Sequence, residues 1–478
     1  MTVYARQYTQ KKVNGVTLKD PNDYVQHGLS APEAKLVADN SVITALTQRA
    51  TEDSVALAFA QVYQGQYVYA HGWGRWLKWD GKRWSEDVTN SIRDEIRQLA
   101  RRHNPEGKVA SAKNAFFVGV DNILRSDRTF SRDGGMFDRE NYLLNTPDGT
   151  YDLRSGVMRE HDPSDSITKL TWASPRSGGG DRFLRFLDEV ADGNKELVEF
   201  LQISLGACLS GAVEEHWLLC WTGVGRNGKN TLGDLVIDLM GDYAGVIPSS
   251  TLMMQRNPEH KTELMNLRGM RLVASGEIEE GAHWAEAKMK ELTGDAEISA
   301  RYTGKDYVTF KRTHKHLIYG NYRPQLRNTD LGVRSRLRMV PFKVTFEGRE
   351  DADLPRKLRA EAPFVMHWLM EGHRKWLEQG KRLGTCDAVD VEFKDYLSSQ
   401  STIDQWVSEC CVTTQDRDQP GRCYEKASVL YRSFKDWKLD RGEQPVSMTR
   451  FGETMSRKFP KKKADGVRYV GITGLVNK

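Results

Sequence analysis

The period of the apolar positions changes along the chain. Aromatic and polar residues alternate over residues 67–84 and again over 142–153, each around an Asp-Gly pair, which predicts two β-hairpins. Between them, Ile92, Ile96 and Leu99 recur at the spacing of one helix face. The tryptophans of the first hairpin could stack on bases, but we favour packing on a small sheet. This part is therefore predicted to be a mixed helical and β-hairpin domain.

A different pattern follows a glycine-rich stretch. Residues 174–181 predict a linker, and helical patterns follow over 182–211. Between about 216 and 345, short apolar runs alternate with helical patterns, which is typical of a parallel α/β sheet. A helical tail is predicted to end near Gly384, and residues from about 392 onward predict a separate small α/β unit.

These patterns divide the chain into four parts. The predicted parts are an N-terminal segment (1–60), a helical and β-hairpin domain (61–211), an α/β core (212–384) and a small C-terminal domain (385–478). The length of 478 residues has room for about three domains at roughly 150 residues each. We therefore expect an α/β core with a smaller domain on either side.

Bulk composition indicates a soluble globular protein. Hydrophobic residues make up 39% and charged residues 28%, and no apolar run approaches the ~20 residues that cross a bilayer. The N-terminus lacks the apolar core of a signal peptide, and the six cysteines show no zinc-ligand spacing. We therefore expect a cytoplasmic protein with free thiols and no membrane partner. A net charge of +5 is compatible with nucleic acid but does not identify it as a partner.

The most informative motif is a glycine loop between an apolar run and a helical pattern. Gly223, four further residues and Gly228-Lys229 satisfy most of the phosphate-loop pattern G-x-x-x-x-G-K-[ST]. Residues 216–221 predict a buried strand before the loop, and apolar residues at helical spacing follow it until Gly241. In this arrangement backbone N–H groups and the positive helix end bind phosphate oxygens. The alternative is a chance glycine turn, which the flanking strand and helix argue against.

The loop predicts the residues that bind ATP. Lys229 is expected to reach the β- and γ-phosphates. Asn230 occupies the position at which Ser or Thr normally holds Mg²⁺, and Thr231 follows it. Because an amide oxygen can also bind Mg²⁺, we expect Asn230 in the metal's coordination shell. The predicted ATP contacts are Gly223, Gly225, Asn227, Gly228, Lys229, Asn230 and Thr231.

Acidic residues follow a second predicted strand. Residues 271–275 form a candidate buried strand, and Glu277 and Glu279 come after its end. Carboxylates at the carboxyl end of a strand face the crevice in which ligands bind in α/β sheets. Glu277 is the first candidate for the Mg²⁺-side carboxylate, and Glu279 for the group that polarises the attacking water. Taken alone, these residues are better explained as a solvated acidic turn.

Two further blocks complete the pattern. Residues 316–321 predict a strand that ends at Asn321, whose amide can position water or sense the γ-phosphate. Arginines then stand at the alternate positions 334, 336 and 338. An arginine that stabilises charge on a transferring phosphoryl group is worth roughly 10³–10⁵ in rate. The alternative is a basic loop without a ligand.

The order of these blocks resembles superfamily three helicases, specifically the primase-helicase family of phages, plasmids and poxviruses. The resemblance covers about residues 215–345, and the blocks that carry it are 223–229, 274–281, 288–294, 299–301, Asn321 and 329–342. It implies an α/β P-loop core of the AAA+-like type. It also implies a ring, usually of six subunits, that hydrolyses ATP with Mg²⁺ between neighbours and pulls single-stranded DNA through a central channel.

The resemblance also implies roles for individual residues. The implied catalytic residues are Lys229, Glu277, Glu279, Asn321 and Arg336. Arg336 matches the family arginine that acts on the ATP of the neighbouring subunit, and Arg334 is its rival. Because the acidic, sensor and arginine blocks are all present, we expect a working ATPase despite Asn230.

DNA contacts are implied at two places. Relatives have a channel hairpin between residues 301 and 321, and the end of the chain resembles a winged-helix domain whose wing can clamp a DNA backbone. The candidate contacts are Tyr302, Lys305 and Lys311, with Arg312 and Lys315 on the same arm of the hairpin, and Lys461, Lys462 and Lys463 in the wing. Solvated basic turns are the alternative at both places.

Residues 18–23 resemble the closing segment of a Toprim-type primase domain, without its catalytic carboxylates. We therefore expect the helicase part of a longer primase-helicase, without priming activity, encoded by a phage or plasmid and acting in the bacterial cytoplasm. A primase or polymerase is a candidate partner.

The favoured function is an ATP-dependent DNA helicase for phage or plasmid replication, acting on single-stranded and forked DNA with the 3′→5′ polarity that the resemblance implies. The alternative is a replication initiator or loader that binds ATP and DNA without processive unwinding. A small-molecule kinase is a third class, but it would not need the sensor and arginine blocks or a winged-helix tail.

Overall fold

The computed structural model describes residues 11–13, 16–18, 51–102, 113–255, 263–301, 306–326, 331–400, 402–413, 424–442, 444–464 and 466–475. Lys11–Val13 (β1) and Val16–Leu18 (β2) form an antiparallel pair. Apart from residue 18, the predicted primase-like segment 18–23 lies outside the described residues. Across the described ranges, none of the helices has the length and apolar character needed to cross a membrane.

Three helices and a four-stranded sheet form the first packed unit. Its elements are α1 (Glu52–Tyr63), β3 (Tyr67–His71), β4 (Arg75–Trp79), β5 (Trp84–Glu86), α2 (Ser91–Arg102), α3 (Asn114–Ser126) and β6 (Ser131–Asp133). The strands pair in the order β5-β4-β3-β6. Ile92, Ile96 and Leu99 are buried in one core with Phe59 of α1, so the predicted apolar face of α2 is confirmed.

The first predicted hairpin contains three strands instead of two. The turn at Asp80-Gly81 joins β4 to β5 as predicted. An additional turn joins β3 to β4 at Gly72 and Gly74, whose φ angles of 83° and 68° favour glycine. Trp76 and Trp84 are buried, so these two rings pack in the protein and are not available to stack on bases.

The second predicted hairpin is confirmed, and the predicted linker lies against it. The next elements are β7 (Leu143–Thr146), β8 (Gly149–Asp152), β9 (Val157–Arg159), α4 (Asp181–Val190) and α5 (Lys195–Ala207). The backbone N–H of Asp148 donates to Ser174 Oγ at 2.9 Å, and the N–H of Arg176 donates to the carbonyl of Pro363 at 2.9 Å. These bonds attach the linker both to the hairpin and to a later helix.

A parallel sheet forms the centre of the molecule. Its strands and the elements between them are β10 (Leu218–Thr222), α6 (Lys229–Met240), β11 (Ala244–Val246), β12 (Leu272–Ser275), α7 (Glu286–Gly294), β13 (Glu297–Ala300), β14 (Val308–Lys311), β15 (Lys315–Tyr319), α8 (Leu331–Arg334) and β16 (Leu337–Pro341). Five strands pair in parallel, which confirms the predicted parallel sheet, and their order is β11-β12-β15-β10-β16. Every residue of β10 is buried, and the carboxyl ends of all five strands lie at one edge.

The strands β13 and β14 form a separate antiparallel pair beside this sheet. Of the cations predicted on its second arm, Lys311 is exposed, but Arg312 and Lys315 are buried. Arg312 Nε donates to the carbonyl of Asp295 at 2.7 Å, and Lys315 Nζ donates to that of Ser210 at 2.6 Å. Burial lowers the pKa of Lys315 to about 7. The expected DNA-facing position is therefore wrong for Arg312 and Lys315, because both bind carbonyls of their own chain.

Helices cover the sheet after β16. They are α9 (Leu354–Ala360), α10 (Ala362–Glu378) and α11 (Asp387–Gln400). α10 packs along α5, and α11 packs on β16. Val389 and Tyr396 of α11 belong to the two cores on either side of the sheet. The helix therefore packs with the central sheet, although the predicted boundary at residue 385 assigns it to the C-terminal domain.

A small unit follows with its own core. Its elements are α12 (Thr402–Cys410), β17 (Cys411–Thr413), β18 (Tyr424–Lys426), α13 (Ala427–Asp440), α14 (Met448–Lys458), β19 (Lys461–Ala464), β20 (Gly466–Val470) and β21 (Ile472–Leu475). Trp406 packs edge-on against Phe434 and Phe451 at its centre. The helices α13 and α14 are followed by the hairpin β19–β20, which is the order of elements that the sequence predicts.

Candidate phosphate-binding site

The glycine loop lies between the end of β10 and the start of α6, as the sequence predicts. Gly223 has φ 151° and Gly228 has φ 82°, and Gly228 is the residue immediately before the helix. A Cβ at Gly223 would lie 2.2 Å from the carbonyl oxygen of Phe342. Both glycines are therefore needed for the path of the loop.

Lys229 is the first residue of α6 and is only 3% exposed. Its Nζ donates to Asn321 Oδ1 at 2.7 Å and to the carbonyl of Gly223 at 3.3 Å, and it lies 3.4 Å from Asn227 Oδ1. Burial lowers the pKa of Lys229, and the charge of Glu277 acts in the opposite direction. Because these three acceptors are neutral, they leave the positive charge of Lys229 uncompensated and suited to an anion.

Asn227 holds the shape of the loop. Its side chain is 1% exposed, and Nδ2 donates to the carbonyl of Phe342, just after β16, at 3.0 Å. Its Oδ1 lies 3.4 Å from both the backbone N and the Nζ of Lys229. Asn227 stays a predicted ATP contact, and its hydrogen bonds fix the loop to the segment just after β16.

Asn321 and Glu277 come from the two strands on the other side of β10. Asn321 follows β15, which pairs with β10, and Glu277 follows β12, which pairs with β15. A Cβ at Gly320 would lie 3.8 Å from Glu277 Cα, so the two segments are in contact. Glu277 and Glu279 are both exposed, whereas Ile278 between them is buried. The structure thus brings Lys229, Asn321 and Glu277 together, with Glu279 two residues further along.

Asn230 and Thr231 differ in their surroundings in the first turn of α6. Asn230 is exposed, whereas Thr231 lines a cavity of about 410 Å³ beside the loop. The other lining residues are Arg182, Phe186, Glu189, Arg226, Gly228, Phe346, Arg349, Glu350, Asp351 and Leu354. Lys229, Glu277 and Asn321 are not among them, so the cavity adjoins the loop on a different side. The sequence motif does not predict this cavity, because most of its lining residues come from α4 and from the chain after β16.

The candidate arginines lie at the opposite edge of the sheet. Arg334 ends α8 and is exposed. Arg336 stands just before β16, its Nε donates to Thr293 Oγ1 at 3.0 Å, and it is also hydrogen-bonded to the carbonyl of Gly332. Five strand residues at ~3.3 Å each put this edge about 15 Å from the glycine loop. Neither arginine is therefore placed to reach Lys229 of its own chain.

The predicted DNA contacts are only partly described. Tyr302 and Lys305 lie outside the described residues, between β13 and β14. Lys461 and Lys462 are exposed on β19, which also contains Lys463. The lysines predicted in the wing therefore belong to a strand of the last hairpin.

Comparisons with known proteins match several parts of the chain. A family described as "D5 N terminal like" matches residues 56–192, and a "Family of unknown function (DUF5906)" matches 221–336. "Putative helicase L207/L206" of Acanthamoeba polyphaga mimivirus is 28% identical over 45% of this chain and 23% of its own length. "Putative primase C962R" of African swine fever virus is 24% identical over 50% of this chain and 26% of its own length.

Segments of the chain are thus similar to the family described as "D5 N terminal like" and to viral proteins named putative helicases and primases. A longer alignment matches the chain to "Putative helicase 121R" of Invertebrate iridescent virus 3, at 20% identity over 87% of this chain and 52% of that protein. The chain thus spans from about a quarter to about half of the length of these relatives. A solved structure titled "The apo structure of NrS-1 C terminal region (305-718)" covers 85% of this chain and 96% of its own, with a TM-score of 0.49 and 9% identity.

Replacement of Gly228 by alanine tests the geometry of the loop. The new Cβ would lie 2.6 Å from Val190 Cγ1 at a φ of 82°, so we expect the free energy of unfolding to fall by about 1–3 kcal/mol. Denaturant unfolding measures this. Gly225→Ala is the matched control, because a Cβ there meets nothing within 4 Å. Equal effects of the two substitutions would contradict the described loop.

Proposed function

We propose that this chain is an ATP-dependent DNA helicase of superfamily three, with an AAA+-like ATPase core, that acts in viral or phage DNA replication. The observation that carries the proposal is the meeting of Lys229, Asn321 and Glu277 at the carboxyl edge of the parallel sheet. A buried ammonium, an amide and a carboxylate beside a glycine loop suit a nucleoside triphosphate. Relatives named as helicases and primases support the nucleic-acid part of the proposal.

In the proposed mechanism the γ-phosphate lies between Lys229 and Asn321. Lys229 would exchange its bonds to neutral oxygens for bonds to phosphate, and the two amide N–H donors of Asn321 suit a phosphate oxygen or the attacking water. Glu279 would orient that water. Exposed oxygen donors at Asn230 and Glu277 fit Mg²⁺, which prefers carboxylate and amide oxygens and would neutralise phosphate charge when bound.

An arginine from a neighbouring subunit would complete the site. The position of Arg334 and Arg336 at the opposite edge of the sheet supports action on another subunit's ATP, in a ring that we propose to be hexameric. Arg334 is exposed, whereas Arg336 is held by Thr293 and Gly332. Arg334 can therefore reach a neighbouring subunit without losing a hydrogen bond of its own chain. We propose Arg334 and Arg336 equally as the arginine that acts on the neighbour's ATP.

The cavity beside Thr231 would hold the nucleoside part of ATP. Asn321 and Lys229 do not line it, so a base and ribose bound there would leave these two residues free for the γ-phosphate. A volume of about 410 Å³ is within the range of small-ligand pockets, and Phe346 offers a partly exposed ring for stacking. Arg182 and Glu189 come from α4, so the region before the sheet would contribute to nucleotide binding.

DNA would contact the exposed lysines at the two predicted places. We propose that Lys311, with Tyr302 and Lys305, faces the channel and that Lys461, Lys462 and Lys463 contact the backbone. Exposed Lys311, Lys461 and Lys462 support this, since unpaired surface cations bind phosphates at little cost. Single-stranded and forked DNA are the proposed ligands, and a primase or polymerase is a proposed partner.

Substitution of Lys229 tests the function directly. Lys229→Ala should reduce ATP turnover by about 10³-fold or more and abolish ATP-dependent displacement of a tailed duplex, because it removes the cation that binds phosphate. Lys195→Ala is the matched control, since Lys195 is also the first residue of a helix but is exposed. Turnover without strand displacement by the wild type would favour the initiator or loader.

Substitution of Asn230 tests the proposed Mg²⁺ ligand. Asn230→Ala should raise the Mg²⁺ concentration needed for half-maximal turnover by about tenfold, because an oxygen donor is lost. Asn230→Ser should restore the wild-type requirement, since a hydroxyl suits the same role. An unchanged Mg²⁺ requirement in the alanine variant would exclude Asn230 from the metal's shell.

Substitution of Phe346 tests the proposed nucleoside cavity. Because stacking on a base is worth ~1–3 kcal/mol, Phe346→Ala should raise the KM for ATP at least about fivefold and leave kcat nearly unchanged. Phe346→Tyr keeps the ring and should behave as the wild type. If both variants had the wild-type KM, the base would not bind against Phe346.

A further inference from the structure

A buried carboxylate of α11 touches the ends of three strands of the central sheet. Glu392 is 3% exposed, and its Oε1 accepts from Thr222 Oγ1 at 2.9 Å. The same oxygen is hydrogen-bonded to Arg323, and Oε2 lies 3.8 Å from Lys343 Nζ. Thr222 ends β10, Arg323 follows β15 and Lys343 follows β16.

Each of these partners is close in sequence to the phosphate loop or its contacts. Thr222 directly precedes Gly223, and Arg323 comes two residues after Asn321. Lys343 follows Phe342, whose carbonyl accepts from Asn227 of the loop. Glu392 therefore binds the residue that directly precedes the loop and the residue that lies two positions after Asn321.

A second residue of α11 binds the same segment. Tyr396, one helical turn after Glu392, donates its hydroxyl to the carbonyl of Pro324 at 2.5 Å. That hydroxyl also accepts from Trp284 Nε1 at 3.0 Å. The backbone N–H of Trp284 donates to the carbonyl of Gln325 at 3.0 Å. The segment after Asn321 is thus fixed to α11 at two successive positions.

Packing alone does not require a carboxylate at position 392. Val389 and Tyr396 already bury α11 in the two cores, and an apolar side chain between them would avoid the desolvation of a charge. Arg323, by contrast, is 38% exposed on its side chain and could be hydrated without Glu392. A buried ion pair adds a fixed geometry that apolar packing lacks, and here that geometry concerns the residues beside Asn321 and Gly223.

We propose that Glu392 is a positioning residue for the phosphate site. It holds Arg323 and Thr222 so that Asn321 keeps its distance from Lys229, and it joins this edge of the sheet to α11. The inference rests on the proposed ATPase function.

Steady-state kinetics of ATP turnover by the full chain test this role. Glu392→Gln should lower kcat about tenfold or more while KM stays within about threefold, because the catalytic geometry is disturbed and the binding residues remain. Arg323→Met should lower kcat similarly, and the double variant should be no worse than either single one. Glu371→Gln is the matched control, since its ion pair with Arg374 is exposed on α10.

Tyr396→Phe gives an independent test if Glu392→Gln does not fold. It removes only the hydroxyl that binds Pro324 and should lower kcat in the same direction by a smaller factor. Unchanged kcat in folded Glu392→Gln or in Tyr396→Phe, or additive effects of Glu392→Gln and Arg323→Met, would overturn the inference while leaving the ATPase intact. Absence of ATP turnover by the wild type would overturn both.

Discussion

The parallel pairing of β10 with β15 on one side and β16 on the other determines where the groups that contact the glycine loop lie. Leu218 of β10 is paired with both His316 and Leu337, so the three strands end at the same edge. Lys229 therefore contacts Asn321, and Asn227 contacts the carbonyl of Phe342, without a long loop having to bring them together. Neighbouring strands are ~4.8 Å apart, which is the span that one lysine or asparagine side chain can bridge.

Several buried polar side chains lie at the edge of the sheet that carries the candidate site. Asn227, Lys229 and Glu392 are nearly inaccessible, and each has hydrogen-bonding partners on a neighbouring strand or loop. Buried polar groups cost free energy unless they are paired, so this edge is more demanding to fold than an apolar one. The same pairing fixes the distances between groups, and a phosphate site needs fixed distances more than it needs stability.

Sequence patterns predicted the parts of this site that follow from local chemistry. The glycine loop, the strand before it and the polar residues at the ends of β12 and β15 could be located because strands and turns have local periods and residue preferences. The packing of α11 on β16, and with it the role of Glu392, could not be predicted. A helical pattern shows that one face is apolar, but it does not show which strand that face will cover. The burial of Arg312 and Lys315 could not be predicted either, because a local run of basic residues does not indicate which of its side chains will be buried.

The central claim is that Lys229, Asn321 and the cavity beside Thr231 form one site for a nucleoside triphosphate. A structure of the chain with Mg²⁺ and a non-hydrolysable ATP analogue tests this most directly. We predict the γ-phosphate between Lys229 Nζ and the Asn321 amide, the metal beside Asn230 and Glu277, and the base against Phe346. Binding of the analogue elsewhere, or with its phosphates away from Lys229, would contradict the account.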